Sequence, residues 1–310
     1  MNLISFLLSI LFINQNFEKL NFKNSDDLIL KNLKYRNVGP VRGGRVTTVH
    51  GVESQKNVFY MGTTGGGVWK STDFGNHWYN VSDRYFKSPS IGAINVYQKN
   101  PNIVYVGTGS DGLRSNIIVG KGIYRSEDAG KTWDHLGLEN VGQIGAVEIH
   151  PNDPNTIYVA AIGQPFKNNQ ERGLYKSMDG GKSWDKILYL SDSIGIVDVE
   201  FAPDDPNTLY AASWRAERKP WTIISGSTNG GAFKSVDAGK TWNKIDLGFE
   251  SKYIGKIDFA VSKSNPDRLF VMVEASEGKG GLYKSEDRGK SYEHMNTRED
   301  LVNRPFYYLN

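Results

Sequence analysis

The sequence predicts an all-β protein, a β-propeller of four-stranded antiparallel blades, on three observations. An eight-residue signature with serine first, aspartate third, glycine fifth and an aromatic residue eighth occurs five times. Its aspartates lie 55, 51, 58 and 50 residues apart, at Asp73, Asp128, Asp179, Asp237 and Asp287. Short alternating segments recur in the same order around it. A period near 50 residues is typical of a stacked array, because one small sheet cannot bury its own faces.

Each repeat contains the segments of one blade. An alternating inner strand comes first, at 91–96, 144–149, 196–201 and 254–259. A turn rich in Asn, Asp and Pro follows, at 99–102, 152–155, 204–207 and 264–267, and leads into a second strand. A third strand enters the signature, at 123–125, 174–176, 232–234 and 282–284. A short fourth strand leaves the signature after the aromatic residue, which makes four strands per blade.

The signature is predicted to be a structural turn. Its glycine can take positive φ, its aspartate can accept backbone N–H bonds, and its aromatic ring can pack between blades. We therefore expect the five aspartates to act as turn clamps rather than as catalytic acids. The Gly-Lys-Thr/Ser triplet in four copies does not predict a phosphate-binding loop, because the glycine five residues earlier is absent.

Composition excludes some classes of function. Lys and Arg number 37 against 34 Asp and Glu, a net charge of +3, which is too small to indicate a nucleic-acid partner. The lysines after the signature glycine are expected on one rim, as a solvated face or a contact for an anionic partner: Lys131, Lys182, Lys240 and Lys290. The five histidines are scattered and cysteine is absent, so we expect no metal site and no cofactor. The Asp-Pro turns are expected to be ordinary turns rather than calcium sites.

The chain is predicted to have three parts. Residues 1–20 are expected to be a signal peptide, because the apolar run at 3–13 is too short to span a bilayer. A buried terminal segment is the alternative, since a basic start and a small-residue cleavage site are missing. Residues 21–34 are expected to be a lead-in and residues 35–310 the propeller. This predicts a secreted, periplasmic or cell-surface protein without a transmembrane span.

The last residues bear on the number of blades. The segment 304–308 follows the fifth signature at the distance that separates earlier signatures from the next inner strand. We therefore expect five complete blades plus the start of a sixth, in a partial ring whose remaining blades are missing from this chain. A closed ring of five is the alternative.

The segments 35–45 (YRNVGPVRGGR) and 65–71 (GGGVWKS), together with the repeated signature, resemble exported bacterial proteins of the Asp-box (BNR-type) propeller family, glycosyl-hydrolase-like or sortilin N-terminal-like. Similar Asp boxes occur in sialidases and in xyloglucanase-type hydrolases. The resemblance implies the propeller fold but not one activity, because the family contains both enzymes and binding proteins. Two departures bear on catalysis. Thr64 stands where the xyloglucanase-like group has an aspartate. Residues 36–40 (RNVGP) stand where sialidases have a Phe/Tyr-Arg-Ile-Pro segment.

A ligand is expected on the face opposite the signature turns, where the loops between second and third strands lie. These loops carry arginines and aromatic residues, which suit a carboxylate-bearing or sugar-like ligand. The candidate ligand-binding residues are Arg42, Arg45, Asp111, Arg114, Trp214, Arg215, Arg218 and Trp221. Alternatively, the same arginines bridge neighbouring blades.

The favoured function is therefore a ligand-binding or scaffold protein that recognises a peptide, protein or glycan. The alternative is a glycoside hydrolase acting on a polysaccharide, for which Glu171 and Glu217 are the candidate acid/base pair. Hydrolysis requires two carboxyl groups about 5 to 10 Å apart across the bond, which the sequence does not establish. A third possibility is an assembly factor for a partner protein.

Overall fold

The computed structural model describes residues 45–308, and these belong to one compact unit that begins at Gly43. The predicted signal peptide (1–20), the lead-in (21–34) and residues 35–44, including Arg42, lie outside the described residues. Nearly every regular element between 45 and 308 is a β-strand. No helix within this range is long and apolar enough to cross a membrane.

The strands form five four-stranded sheets in chain order, and a separate two-stranded sheet is inserted in the fourth. Blade one contains β1 (Val46–Gly51), β2 (Phe59–Thr63), β3 (Val68–Ser71) and β4 (Tyr79–Asn80). Blade two contains β5 (Ile91–Val96), β6 (Val104–Thr108), β7 (Ile123–Ser126) and β8 (Asp134–His135). Blade three contains β9 (Gln143–Ile149), β10 (Ile157–Gly163), β11 (Gly173–Ser177) and β12 (Asp185–Leu188).

Blade four contains β13 (Gly195–Ala202), β14 (Asp205–Trp214), β17 (Ala232–Ser235) and β18 (Asn243–Lys244), with an inserted hairpin of β15 (Ala216–Arg218) and β16 (Ile223–Ser225). Blade five contains β19 (Ile254–Val261), β20 (Leu269–Ala275), β21 (Gly281–Ser285) and β22 (Glu293–Asn296). Each blade is a four-stranded antiparallel meander. The prediction of an all-β propeller with five complete blades is confirmed.

The first strands of the five blades line the centre. The inner strands β1, β5, β9, β13 and β19 contact one another in this order and share one axial cavity. The second strand of a blade is covered on both faces by the neighbouring sheets. Every residue of β6 and β10 is accordingly buried. Because both faces of these strands are covered, they carry apolar runs rather than a strict alternation. An exposed ion pair, Lys263 Nζ to Glu53 Oε1 at 3.1 Å, connects blade five with blade one.

A repeated contact holds neighbouring blades together. The residue before the signature glycine adopts left-handed φ, near +60° at Ala129, Ala238 and Arg288, and its carbonyl turns toward the preceding blade. Ala129 O accepts the Tyr60 hydroxyl at 2.9 Å and Lys70 Nζ at 2.8 Å. The same tyrosine and lysine pair bonds Ala238 O and Arg288 O in the later blades, through Tyr158, Lys176, Tyr210 and Lys234. The signature turn is therefore also a junction between blades.

The structure differs from the sequence-based expectation at the end of the chain. Residues 304–308 were expected to begin the inner strand of a sixth blade, but Pro305–Tyr308 forms a short helix, α1, after a 3₁₀ turn, η1 (Glu299–Leu301). Proline suits the first helical position, where its missing N–H is not needed. Within the described residues, α1 contacts β19, but no strand forms ladder bonds with it.

Candidate functional site

In each of the five signature turns, the aspartate carboxylate accepts hydrogen bonds from groups of the same turn. In the second turn, Asp128 Oδ1 accepts Ser126 Oγ at 2.8 Å and Thr132 N at 2.8 Å, while Oδ2 accepts the Thr132 hydroxyl at 2.7 Å. The third, fourth and fifth turns repeat this set around Asp179, Asp237 and Asp287; in the first, His77 takes the place of the hydroxyl residue at Asp73. Burial raises the pKa of Asp128, but the hydrogen bonds outweigh it and lower the pKa to about 2.

The opposite ends of the blades form the loop face, defined by the segments between second and third strands: 64–67, 109–122, 164–172, 215–231 and 276–280. The blade-two loop crosses to blades four and five. Leu113, only 1 % exposed, packs in a cluster with Trp214 and Ala216, and Arg218 Nη1 approaches Leu113 O at 3.5 Å. The loop face is therefore closed over the ring centre by packed side chains.

A buried ion pair connects this loop to the fifth inner strand. Lys256 Nζ donates to Asp111 Oδ2 at 2.5 Å, and the two side chains are 3 % and 10 % exposed. The ammonium group also lies 5.7 Å from the centre of the Trp214 ring. The Lys256 backbone N–H donates to Glu274 Oε2 at 2.8 Å. An ion pair at this depth is stable only when both partners keep their contacts, because removal of one leaves a buried charge.

The candidate ligand-binding residues occupy different environments. Asp111, Arg114 and Trp214 are buried, Arg215 and Arg218 are half-buried, and Arg45 is exposed just before β1. Trp221 is 81 % exposed. The packed loops bring Asp111, Arg218 and Trp214 together, but there they form part of the packing that closes the loop face over the ring centre. Only Trp221 projects from the loop face as a large exposed ring among these eight candidates within the described residues.

Trp221 stands at the tip of the hairpin β15–β16, which is anchored on three sides. Trp214 Nε1 donates to Ser225 Oγ at 2.9 Å, and that hydroxyl donates to Glu274 Oε2 at 2.6 Å. The Arg218 N–H donates to Pro165 O at 2.6 Å in the neighbouring loop of blade three. The hairpin base is therefore rigid while its tip faces solvent.

The two candidate acid/base residues also lie in different environments. Glu217 is buried on β15 and forms an ion pair with Lys219. Glu171 is exposed, and its Oε2 accepts Asn169 Nδ2 at 3.2 Å. Between them in the chain lies Arg172, fully buried, whose guanidinium donates to Ile162 O, Gln164 O and Lys167 O and holds the blade-three loop together.

Sequence reasoning missed an acidic lining of the axial cavity, which has a volume of about 320 Å³. Four carboxylates project from the inner strands: Glu148, Asp198, Glu200 and Asp258. Burial raises the pKa of Glu148 to about 8 and that of Asp258 to about 6, although Lys256 opposes the second shift. Burial and the neighbouring carboxylates Asp258 and Glu200 raise the pKa of Asp198. The sequence contained a signal for this lining, because an acidic residue recurs at the fifth position of three aligned inner strands, as Glu148, Glu200 and Asp258.

The cavity has cationic and neutral neighbours as well. Asn95 Nδ2 donates to Glu148 Oε1 at 3.0 Å, and the Phe259 N–H donates to Asp198 Oδ2 at 2.9 Å. Lys256 lines the cavity but already bonds Asp111. Within residues 45–308, no three His, Asp or Glu side chains are arranged to hold a metal ion.

The five meanders and their signature turns define an Asp-box β-propeller. A family model described as sortilin, neurotensin receptor 3, matches residues 66–220 and 121–246, and a BNR-Asp box repeat model matches 282–295. The matched residues make up more than half of the chain, which therefore belongs to this sortilin family.

Similar proteins include glycan-degrading enzymes. A probable oligoxyloglucan-reducing end-specific xyloglucanase of Neosartorya fischeri is 26 % identical over 228 residues, which are 68 % of this chain and 25 % of that protein. A xyloglucanase of Acetivibrio thermocellus is 25 % identical over 62 % of this chain and 24 % of its own length. The chain spans about a quarter of the length of these curated relatives.

Solved structures agree on the fold. An ancestral GH74 enzyme superposes with a TM-score of 0.63 at 20 % identity, covering 84 % of this chain and 32 % of the other. The GH74 enzyme of Niastella koreensis has a TM-score of 0.59 at 23 % identity, covering 80 % and 38 %. At this identity the likeness shows the propeller fold alone.

Proposed function

We propose that the chain is a glycan-binding propeller that binds its ligand on the loop face through the hairpin β15–β16. The observation that carries the proposal is the exposed Trp221 ring on a rigid base. An indole ring stacks on the apolar face of a sugar, and a preformed platform loses little conformational entropy on binding. The names of the xyloglucanase relatives support a polysaccharide rather than a peptide as the first ligand to test.

The test is calorimetric titration of the 310-residue chain with xyloglucan oligosaccharides and a panel of other neutral glycans. We expect Trp221→Ala to weaken binding at least about tenfold, because the stacking surface is lost. Phe74→Ala is the matched control. Phe74 is an exposed ring on the signature-turn side, 72 % exposed, and alanine occupies the same turn position at Ala129 and Ala238. Equal affinity of wild type and Trp221→Ala would reject the site, and binding of peptides alone would reject the glycan assignment.

A second candidate function, hydrolysis of a glycosidic bond, is favoured by the similarity to xyloglucanases. It would use Glu171 and Glu217, and the buried ion pair of Glu217 with Lys219 is the observation against it, because a catalytic carboxyl must reach the bond. Release of reducing ends that is abolished by Glu171→Gln or Glu217→Gln would establish the hydrolase. We expect binding without turnover.

We also propose export of the protein, based on the apolar run at 3–13. Expression of the chain in a bacterial host, followed by fractionation and N-terminal sequencing, tests this proposal. We expect a mature form without the first 20 or so residues in the exported fraction. A full-length product confined to the cytosol would contradict it.

A further inference from the structure

A second surface, on the signature-turn side, has a composition that the proposed function does not use. An open groove of about 610 Å³ lies between blades one and two. One wall is β4 with the following turn at 82–86, and the other wall is the second signature turn, Ala129–Lys131. Three cationic side chains line it, Lys70, Arg84 and Lys131, together with the tyrosines Tyr79 and Tyr85. Within the described range, one carboxylate, Asp83, belongs to the lining.

The repeat provides an internal comparison for this charge. In each blade the last basic residue of the third strand pairs across the sheet with the first residue of the fourth strand. The pairs are Arg125 with Asp134, Lys176 with Asp185, Lys234 with Asn243, and Lys284 with Glu293. In blade one, Lys70 pairs with Tyr79. Three other blades thus place a carboxylate opposite the cation, whereas blade one places an aromatic ring there.

The second residue of the signature strengthens this difference. It is Glu127 in blade two, where it bonds Arg125 at 2.8 Å, and Glu286 in blade five, where it lies 3.5 Å from Lys284. The corresponding residue in blade one is Thr72. Lys70 therefore has no acidic neighbour at either of these two positions. Lys234 of blade four has none there either, because it faces Asn243 and its signature has Val236, but blade one differs in placing an aromatic ring beside its lysine. Burial, and then Lys131, lower the pKa of Lys70, and the carboxylate of Asp128 in the second signature turn opposes this shift.

The groove walls are held in place before any ligand arrives. The Tyr85 hydroxyl donates to Lys131 O at 3.1 Å, and Trp133 Nε1 donates to Val81 O at 2.9 Å. Phe86 stacks on Tyr124 with ring centres 4.1 Å apart. Tyr79 and Tyr85 remain 46 % and 37 % exposed, so parts of their rings face the groove opening. A rigid groove of this kind binds without the entropy loss of ordering a loop.

We propose that this groove binds an anionic glycan, a chain of sugar rings that carry carboxylate or sulfate groups. The cations attract the acidic groups, and the tyrosine rings pack against the apolar faces of the sugars. An acidic peptide would satisfy the cations, but its flexible side chains have no flat apolar face for the tyrosines. The binding is separate from the loop face and does not depend on Trp221.

The test is calorimetric titration of the 310-residue chain with hexagalacturonate, its fully methyl-esterified form, a sulfated hexasaccharide and hexaglutamate. We expect binding of hexagalacturonate, of the sulfated hexasaccharide or of both, weakening with added salt. The neutral ester and hexaglutamate should bind at least about tenfold more weakly. Which anionic sugar binds more tightly identifies the preferred acidic group.

Variants locate the site. Arg84→Ala with Lys131→Ala should weaken the binding of the anionic sugar about tenfold. The control, Lys182→Ala with Lys290→Ala, removes the same amount of charge from the positions equivalent to Lys131 in two other signature turns and should leave affinity unchanged. Tyr79→Ala should weaken binding severalfold, and Tyr79→Phe should retain it. Equal losses in the control pair, equal binding of the ester, equal binding of hexaglutamate, or no binding of either anionic sugar would each overturn the proposal.

Discussion

At the residue scale, the serine that opens each signature turn is as important as the aspartate. The five serines are Ser71, Ser126, Ser177, Ser235 and Ser285, and each is at most 2 % exposed. In the second turn, Ser126 Oγ donates to Asp128 and accepts the N–H groups of Asp128 and Gly130, at 3.2 Å and 2.8 Å. One buried hydroxyl thus satisfies two backbone donors that the tight turn takes away from water.

Ser126→Ala is expected to lower the free energy of unfolding by about 1–3 kcal/mol, because the buried Gly130 N–H loses its acceptor. Urea denaturation followed by tryptophan fluorescence measures the change. Ser54→Ala, at an exposed turn position, is the control and should be close to neutral. A neutral Ser126→Ala would show that water replaces the hydroxyl in the turn.

At the scale of elements, the blade-two loop and the inner strand β19 depend on each other. The Asp111–Lys256 pair connects residues 145 positions apart, and Lys256 is also the cation among the axial carboxylates Asp198 and Asp258. The inserted hairpin β15–β16 packs on the same cluster through Ala216 and Trp214. The closure of the loop face is therefore one packed unit contributed by three blades.

Lys256→Met is expected to destabilise the protein by about 3–5 kcal/mol, because it leaves the buried Asp111 carboxylate without a cation. The double variant Asp111→Asn with Lys256→Met should lose less than the sum of the two single losses. Chemical denaturation of all four proteins closes the cycle. Strict additivity would mean that the two side chains do not interact in solution.

Much of the order and extent of the strands could be predicted from the sequence. The four inner strands at 91–96, 144–149, 196–201 and 254–259 occur within a residue or two of the expected bounds, because alternation and Asn/Asp/Pro turns act locally. The connection between the second and third strands of blade four, which the strand pattern predicts to be a loop, contains a two-stranded hairpin. Its strands have three residues each and depend on packing against Trp214 and Pro165, which no local pattern reveals.

At the scale of the whole molecule, the ring concentrates carboxylates on its axis. Glu148, Asp198, Glu200 and Asp258 come from three different blades, and burial raises the pKa of each. The charged groups facing them are Lys256 from β19, Asp111 from the blade-two loop, His50 from β1 and Lys263 near the rim. The folded ring therefore retains protons that the unfolded chain releases near pH 4.

We expect the free energy of unfolding to fall as pH rises from about 6.5 to 8.5, by at most about 1.4 kcal/mol per pH unit for each proton that the folded state retains. The sign follows because carboxyl groups with a raised pKa bind more protons folded than unfolded. Burial lowers the pKa of His50 and His150, so these two groups oppose the trend near pH 6.5, where the unfolded chain still protonates them, and lose this effect as the pH rises further.

Denaturation at a series of pH values measures this dependence. Glu200→Gln should reduce the slope, whereas the exposed Glu171→Gln should keep it. Stability that increases across the same range would contradict the protonated axis. At the acid end the signature turns act in the opposite direction, because hydrogen bonds lower the pKa of Asp128 to about 2 and its contribution disappears only below about pH 4.

The sequence by itself determined the repeat, the order of four strands in each blade and the chemistry of the turns, since all three depend on residues close together along the chain. The tertiary structure alone decided which loop side chains are buried, which leaves Trp221 projecting while Asp111 and Trp214 hold the closure. It also decided that acids from separate blades meet on the axis and that cations and tyrosines meet between blades one and two. Burial and charge pairing arise between residues that only the ring brings together, so no local pattern encodes them.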